Sequence, residues 1–156
     1  MIKVGITGQQ GFVGQHLYNT IGLFPEEFER VEYKREFFED QKLLNEFTSK
    51  CDIIVHLAAM NRHHDPQVIY DVNIGLVNKL VTALKVTNSK PHIMFSSSSQ
   101  EEHDNLYGVS KKVGRELLAE CARKLNLKYT GFVIPNVFGP FGNPYYNSFI
   151  ATFLYC

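Results

Sequence analysis

Short apolar runs rich in β-branched residues alternate along the chain with longer amphipathic stretches. The runs at 2–7, 29–33, 53–58, 92–97 and 129–134 predict strands. The stretches at 12–21, 40–50, 66–86 and 106–125 predict helices, and the third opens with Pro66 at a first-turn position. Strands and helices in alternation indicate an α/β fold with a doubly wound parallel sheet that is covered on both faces.

Length and charge limit the number of domains and the kinds of partner. With 156 residues, 44% of them hydrophobic, the chain is long enough for one domain and too short for two ordinary ones. The 16 basic and 16 acidic side chains are interspersed, so the sequence has no basic surface typical of nucleic-acid or membrane binding. The first residues enter a strand without an apolar leader, and we expect a cytoplasmic protein. The well-separated Cys51, Cys121 and Cys156 fit reduced thiols.

Three glycines, Gly8, Gly11 and Gly14, lie where the first predicted strand turns into the first predicted helix. In a dinucleotide fingerprint the first glycine permits a tight turn, the second lets the backbone approach a pyrophosphate, and the third packs helix on strand. The helix N-terminus then offers unpaired N–H groups to the anion. The alternative, a glycine-bearing turn that binds nothing, is disfavoured because strand and helix flank the motif as the fingerprint requires.

Tyr107 and Lys111 lie four residues apart at the start of a predicted helix, so their side chains share one face. A phenol has a reference pKa of about 10, and a nearby cation that favours the phenolate brings it toward the working range of an acid-base catalyst. Such pairs are common and mostly structural, but their position after the glycine motif favours a catalytic role.

Four serines, Ser96 to Ser99, end an apolar strand at its carboxyl end, which is where doubly wound sheets bind ligands. A serine there can polarise a carbonyl group. The alternative is a polar strand end capped by its own turn, and the pattern leaves open which of the four points inward.

Six features of the sequence belong together: the glycine motif, His56-Leu57-Ala58-Ala59, Asn73, the serine run, Tyr107 with Lys111, and the segment 135–140. In this combination the chain resembles an extended short-chain dehydrogenase/reductase. Within it, the segments 61–62, 104–108 and 143–153 most resemble the CapF-like sugar reductases of capsule and O-antigen synthesis. The resemblance covers the whole chain. It implies that residues 1–156 are a Rossmann-type NAD(P)-binding domain, and the apolar segment 148–156, which lacks a polar ending, suggests that it is cut off before the substrate-binding portion.

The resemblance also implies roles for individual residues. Tyr107 is the general acid, Lys111 lowers its pKa and holds the nicotinamide ribose, and Ser98, with Ser97 as the fallback, hydrogen-bonds the substrate carbonyl. Asn73 relays protons to the lysine through water, the alternative being a solvated helix amide. The expected cofactor contacts are Gly8, Gln10, Gly11, Phe12, Val13, Gly14, Lys34, Arg35, Leu57, Ala58, Ala59, Asn73, Tyr107, Lys111 and Pro135. The expected substrate contacts are Asn61, Asn136 and Asn147.

Cofactor choice depends on the end of the second predicted strand, where an acidic residue suits NAD and a basic one suits the 2′-phosphate of NADP. Glu32 leaves the register ambiguous, but Lys34 and Arg35 favour NADP over NAD. His63-His64-Asp65 beside His56 does not supply the converging ligands of a metal site, and we expect none.

The function expected from this resemblance is NADPH-dependent reduction of a 4-keto UDP-linked deoxy-N-acetylhexosamine, a step toward UDP-N-acetyl-L-fucosamine. Ser99-Gln100 replaces the acidic pair of dehydratase relatives, which disfavours dehydration, and Val133 replaces their arginine near the substrate. The alternatives are an NAD-dependent nucleotide-sugar epimerase and a catalytically inactive dinucleotide-binding scaffold. The resemblance also implies a homodimer, because relatives pair through a four-helix bundle built from helices 66–86 and 106–125. The apolar residues Ile69, Val72, Leu117 and Leu118 of these helices recur at helical spacing.

Overall fold

The computed structural model describes residues 1–145, 150 and 152–153. Its strands are β1 (Ile2–Thr7), β2 (Phe28–Val31), β3 (Ile53–His56), β4 (His92–Ser98) and β5 (Tyr129–Ile134). The α-helices are α1 (Phe12–Ile21), α2 (Gln41–Lys50), α3 (Pro66–Thr87) and α4 (Leu106–Leu125). Two short 3-10 helices, η1 (Arg35–Phe38) and η2 (Ser99–Glu102), follow β2 and β4.

The five strands form one parallel sheet in the order β2-β1-β3-β4-β5. The chain moves outward from β1 to β2 and then returns across β1 to β3, so the direction of winding reverses between β1 and β3. In open α/β sheets the ligand crevice lies at that reversal, outside the carboxyl ends of the strands. The predicted doubly wound Rossmann-type sheet is therefore confirmed, and its winding reverses beside Thr7 and His56, where the ends of β1 and β3 pair.

Side chains alternate between the two faces of the sheet and build a core on each. On one face, Ile54, Ile93 and Phe95 pack with residues of α2, α3 and α4. On the other face, Val4 and Val55 pack with residues of α1. Among the described residues, three helices cover the first face of the sheet and only α1 covers the second. Helices thus lie on both faces, as expected, but in unequal number.

Element boundaries differ from the sequence expectation in β2, β3 and α2, and α3 and β4 each end one residue later than expected. β2 ends at Val31 because it pairs with β1 only over Phe28–Val31, and Tyr33 turns into the core against Phe37, Phe38 and Phe47. β3 ends at His56, since the backbone beyond it packs against the Gly8 turn. α2 begins at Gln41 because Asp40 is its N-cap, accepting from the Lys42 N–H at 2.8 Å.

The expected dimer helices pack against each other within the chain. Ile69 and Leu118 are buried there, with 7% and 1% of their surface exposed. Two of the four residues that we expected at a subunit interface are therefore core residues, and only Val72 and Leu117 remain partly exposed. The dimer itself stays a prediction. Among the described helices, we find none with the length and apolar character needed to span a bilayer.

Candidate active site

The glycine turn between β1 and α1 leaves no room for larger residues. Gly8 has a φ of 77°, in the left-handed region, and its carbonyl oxygen accepts the Gly11 N–H at 2.9 Å. A methyl group at Gly14 would overlap that carbonyl oxygen and lie 2.8 Å from the Gln9 Cα. Gly11 is the N-cap of α1 and gives it no side-chain hydrogen bond. The first N–H groups of α1 therefore face a close backbone concavity of the kind that binds phosphate.

A buried hydrogen bond joins β1 and β3 beside this turn. Thr7 Oγ1 lies 2.6 Å from His56 Nδ1 and also accepts from the Ala58 N–H at 3.4 Å. His56 is 1% exposed, and burial, with a smaller contribution from the Lys111 charge, lowers its pKa to about 3. His56 therefore stays uncharged near neutral pH and holds the ends of β1 and β3 together.

A single cleft of about 1530 Å³ runs along the carboxyl ends of the strands. The glycine turn and α1 form one wall, and the end of β4 with the first turns of α4 forms the other. The segment after β5 lies along the cleft, including Pro135, Asn136 and Phe138. The cleft therefore brings the phosphate cradle and the Tyr107–Lys111 pair into one space.

The four serines separate by their hydrogen-bond partners. Ser96 Oγ donates to the His56 carbonyl oxygen at 3.3 Å. Ser97 is 3% exposed and donates to Glu101 Oε2 at 2.8 Å. Ser98 is half-buried and, like Ser96 and Ser97, lines the cleft. Its Oγ accepts the Gln100 N–H at 3.2 Å, and it is the side chain whose neighbourhood lowers the pKa of Tyr107, whereas Ser99 is exposed. Ser97 is thus engaged with a carboxylate, while Ser98 is the serine that affects Tyr107. The choice of Ser98 over the fallback Ser97 stays a prediction.

Tyr107 lies in the first turn of α4, whose N-cap Asn105 accepts the Gly108 N–H at 2.8 Å. Burial raises the pKa of Tyr107, and the hydrogen bond with Ser98 opposes that rise. Lys111 is 4% exposed and donates to the Ser96 carbonyl oxygen at 2.7 Å. Burial lowers the pKa of Lys111 to about 8. In this structure it is Ser98 that eases ionisation of Tyr107, and the effect expected of Lys111 stays a prediction.

Asn73 is buried within α3, which removes the alternative of a solvated helix amide. Its Oδ1 accepts the Met60 N–H at 2.7 Å. Its Nδ2 donates to the Met60 carbonyl oxygen and to Ser110 Oγ, each at 3.0 Å. The amide thus ties the segment after β3 to the helix that carries Tyr107, and it is not among the residues that line the cleft.

The sequence profile of the NAD dependent epimerase/dehydratase family matches residues 4–156. The chain belongs to this family.

Similar proteins include a UDP-2-acetamido-2,6-beta-L-arabino-hexul-4-ose reductase of Pseudomonas aeruginosa. It is 35% identical in an alignment that covers 97% of this chain and 40% of the relative. The capsular polysaccharide assembling protein CapF of Staphylococcus aureus is 32% identical, with a TM-score of 0.77 over 99% of this chain and 40% of that chain. RMD from Pseudomonas aeruginosa, complexed with NADPH, shares the fold at 19% identity and a TM-score of 0.81, over 94% of this chain and 58% of that one. The chain thus spans 40% of the length of the first two relatives.

The cleft of this family member contains most of the residues expected to bind the cofactor. Those that line it are Gly8, Gly11, Phe12, Val13, Gly14, Leu57, Ala59, Tyr107, Lys111 and Pro135. Those that do not are Gln10, Lys34, Arg35, Ala58 and Asn73. Of the expected substrate contacts, Asn61 and Asn136 line the cleft, and Asn147 lies outside the described residues.

Lys34 and Arg35, the pair expected to select the cofactor, are not among the residues that line the cleft. Lys34 forms an exposed ion pair with Glu32 at 3.0 Å, and Arg35 begins η1. The preceding Tyr33 accepts from Gln9 Nε2 at its carbonyl oxygen, at 3.0 Å. Its hydroxyl is hydrogen-bonded to the Gly8 backbone, which opposes the rise in its pKa caused by burial. Tyr33 thus connects the basic pair to the glycine turn.

Sequence reasoning missed several residues of the cleft. His16 lines it on α1, one turn after Phe12, with the two rings 5.0 Å apart. His16 Nε2 lies 2.9 Å from the Pro140 carbonyl oxygen, which joins α1 to the segment after β5. The i, i+4 spacing of Phe12 and His16 is a signal that could have predicted their contact. Phe141 also lines the cleft, and no local pattern marks it. Gln100 and Asn105 line it too, although in the sequence they stood out only as the replacement of an acidic residue and as part of the segment 104–108.

A nicotinamide dinucleotide fits this site, because the concavity at Gly14 is one that a Cβ would fill and the helix N-terminus beside it suits a pyrophosphate.

The histidines considered as metal ligands contact each other instead. The ring centres of His63 and His64 lie 4.1 Å apart, and the His63 Nδ1 accepts the Asp65 N–H. Over the described part of the chain, no three His, Cys, Asp or Glu side chains are grouped as metal ligands.

Proposed function

We propose that the protein carrying this chain reduces the 4-keto group of a UDP-linked deoxy-N-acetylhexosamine with NADPH, toward UDP-N-acetyl-L-fucosamine. The observation that carries the proposal is the convergence of Ser98, Tyr107 and Lys111 on the cleft that contains the glycine cradle. The similarity to a protein named as a UDP-sugar reductase, and to CapF, supports the sugar nucleotide as the substrate class.

The glycine cradle with Phe12 and Val13 would hold the pyrophosphate, and Lys111 and Pro135 would contact the nicotinamide half. When bound, the reduced nicotinamide supplies the hydride for the carbonyl carbon. Tyr107 donates the proton to the carbonyl oxygen, and Ser98 hydrogen-bonds the same oxygen as its negative charge develops. Burial keeps the phenol of Tyr107 protonated before the reaction. The buried Lys111 cation then stabilises the phenolate until solvent returns the proton.

Preference for NADP rests on Lys34 and Arg35. Lys34 already forms an exposed ion pair with Glu32, so we assign the contact with the 2′-phosphate to Arg35. We expect Arg35→Gln to weaken NADPH binding about tenfold, with NADH binding changed less than twofold, in fluorescence titrations. Equal losses for both dinucleotides would contradict this assignment and favour NAD.

Gln100 distinguishes reduction from dehydration. It lines the cleft after the serine run, and its amide cannot serve as the ionisable acid or base that elimination of water requires. The carboxamide of Gln100 accepts from Asn105 Nδ2 at 3.1 Å, which keeps it directed along the turn. Among its described lining residues the cleft therefore has a proton donor for a carbonyl oxygen and no acidic side chain to assist elimination.

Turnover of a 4-keto UDP-sugar with added NADPH tests the proposal, followed by loss of NADPH absorbance and by mass spectrometry of the sugar. A reductase consumes one NADPH for each hydroxyl formed. Interconversion of sugars without net consumption of dinucleotide would favour the NAD-dependent epimerase. Dinucleotide binding without turnover of any keto-sugar would favour the inactive scaffold.

A homodimer through α3 and α4 is part of the same proposal. Val72 and Leu117 are the two expected interface residues that remain partly exposed, and isologous pairing is the commonest arrangement of soluble oligomers. Sedimentation velocity at micromolar concentration should give a dimer in the wild type and a monomer in Val72→Glu. A wild-type monomer at all concentrations would contradict it.

A further inference from the structure

Glu101 and Arg115 form an ion pair that is more buried than the Lys34–Glu32 and Lys124–Glu120 pairs. Arg115 Nε donates to Glu101 Oε2 at 3.0 Å, with the two side chains 34% and 10% exposed. The Lys34–Glu32 and Lys124–Glu120 pairs are all more than half exposed, and such pairs contribute little. Burial alone would raise the pKa of Glu101, but hydrogen bonds from Arg115 and Ser97 outweigh it and lower that pKa. Glu101 is thus a carboxylate held in place by two donors.

The pair joins three elements that meet at the cleft. Ser97 in β4 donates to the same Glu101 oxygen at 2.8 Å. Glu101 lies in η2, which begins directly after Ser98, and Arg115 lies one turn beyond Lys111 on α4. One carboxylate oxygen therefore connects the end of β4, the turn that follows it and the catalytic helix.

The backbone of η2 rests directly on α4. A Cβ at Gly108 would overlap the Gln100 carbonyl oxygen and lie 3.3 Å from the Glu101 nitrogen. Because Gly108 neighbours Tyr107, a shift of η2 along the helix changes the distance between Ser98 and Tyr107. Arg115, the other partner of the ion pair, is held in place as well. The aliphatic part of its side chain lies against Gly131 of β5, and its carbonyl oxygen accepts from Tyr129 Oη at 3.1 Å.

We propose that Glu101 and Arg115 are positioning residues which hold Ser98 against Tyr107 and keep the neighbouring Ser97 out of the reaction. Ser97 gives its only proton to Glu101, so it has none to donate to a substrate carbonyl. The inference rests on the proposed reductase function for its kinetic consequences. The placement of Ser98 beside Tyr107 can be measured without turnover.

The direct test is the ionisation of Tyr107, observed by NMR in protein labelled with ¹³C-tyrosine and assigned through its absence in Tyr107→Phe. Ser98→Ala should raise the pKa of Tyr107, because the Ser98 hydrogen bond lowers it. Glu101→Gln keeps the size of the side chain, and Arg115→Met keeps the stem against Gly131. Each should raise the Tyr107 pKa in the same direction as Ser98→Ala. An unchanged Tyr107 titration in both variants would overturn the inference.

The exposed pair on the same helix supplies matched controls. Glu120→Gln and Lys124→Met remove an ion pair of 2.6 Å that lies on the surface of α4. Both should leave the Tyr107 titration unchanged. If they raise the pKa of Tyr107 as much as Glu101→Gln does, the effect comes from charge in general and the positioning role is wrong.

Kinetics on the full-length protein give the second readout. Glu101→Gln and Arg115→Met should lower kcat about tenfold or more, since small displacements of a catalytic group are costly, with NADPH affinity within about twofold. Arg115→Lys should recover part of kcat. Equal losses in kcat and NADPH affinity would indicate general disruption and contradict the inference.

Two serine variants distinguish a failure of this inference from a failure of the proposed function. Ser98→Ala should lower kcat by about 10² or more, whereas Ser97→Ala, which leaves Glu101 paired with Arg115, should lower it less than about fivefold. A larger loss in Ser97→Ala would assign the catalytic hydroxyl to Ser97 and overturn the inference. If the wild type reduces no keto-sugar, the proposed function fails, and the Tyr107 titration still decides whether the pair positions Ser98.

Discussion

His56 should make the stability of the protein depend on pH in a way that one substitution removes. It is buried and bonded to Thr7 through Nδ1, while its buried Nε2 has no hydrogen-bond partner among the described residues. Burial, with a smaller contribution from Lys111, lowers its pKa to about 3, from an ordinary value near 6.5. The unfolded chain therefore takes up a proton as the pH falls below about 6.5, and the native protein does not.

The sign and size of the effect follow from this difference. The contribution of His56 is fully present above pH 6.5 and is lost progressively as the pH falls toward 3. One proton corresponds to about 1.4 kcal/mol per pH unit. The free energy of unfolding should therefore drop by about 2 kcal/mol between pH 6.5 and 5, and by on the order of 5 kcal/mol over the full range.

Urea unfolding at a series of pH values measures this loss. Other groups also titrate in the interval, so the test is the difference between the wild type and His56→Asn, whose amide does not ionise. The wild type should lose about 2 kcal/mol more than His56→Asn between pH 6.5 and 5. Parallel pH profiles for the two proteins would refute the assignment of a neutral, buried His56.

Three further predictions concern Gly14, Gly75 and Lys111. Gly14→Ala should weaken dinucleotide binding about tenfold or more, because its methyl group would displace the turn at Gly8. Gly75→Ala places its methyl group in open space on α3, so it should instead stabilise the folded chain by about 0.5–1 kcal/mol. Titration calorimetry and thermal melts measure the two, and unchanged dinucleotide affinity in Gly14→Ala would contradict the cradle. The affinity for NADPH should fall above pH 8, by up to about tenfold per pH unit, because Lys111 loses its charge there. If the NADPH affinity of the wild type stays constant over this range, as that of Lys111→Met should, the role of Lys111 in binding the cofactor is contradicted.

The periodicity of the sequence was sufficient for most of the fold. β1, α1, α4 and β5 have the predicted bounds, because each has a continuous apolar pattern that the tertiary structure reinforces. β2 is shorter than predicted, since the length of a strand depends on the strand beside it and Tyr33 packs into the aromatic core. Such a limit comes from contacts distant along the chain, and a local pattern does not contain it.

The site was predictable where a motif encodes backbone geometry and less so where side chains compete for partners. The glycine turn and the Tyr107–Lys111 pair lie where their spacing indicated. The choice among the serines depends on His56, Glu101 and Tyr107, which lie on three different elements. Alternation along β4 separates Ser97 from Ser96 and Ser98, but it does not predict that Glu101 and Arg115 hold the turn beside them.

Turnover of the full-length Tyr107→Phe protein tests the central claim most directly. The substitution removes the proposed proton donor and keeps the ring, so NADPH affinity should stay within about twofold while reduction of the 4-keto UDP-sugar falls by about 10² to 10⁴. Tyr70→Phe, on α3 and away from the cleft lining, is the control and should match the wild type. A Tyr107→Phe rate within a few-fold of the wild type would contradict the account.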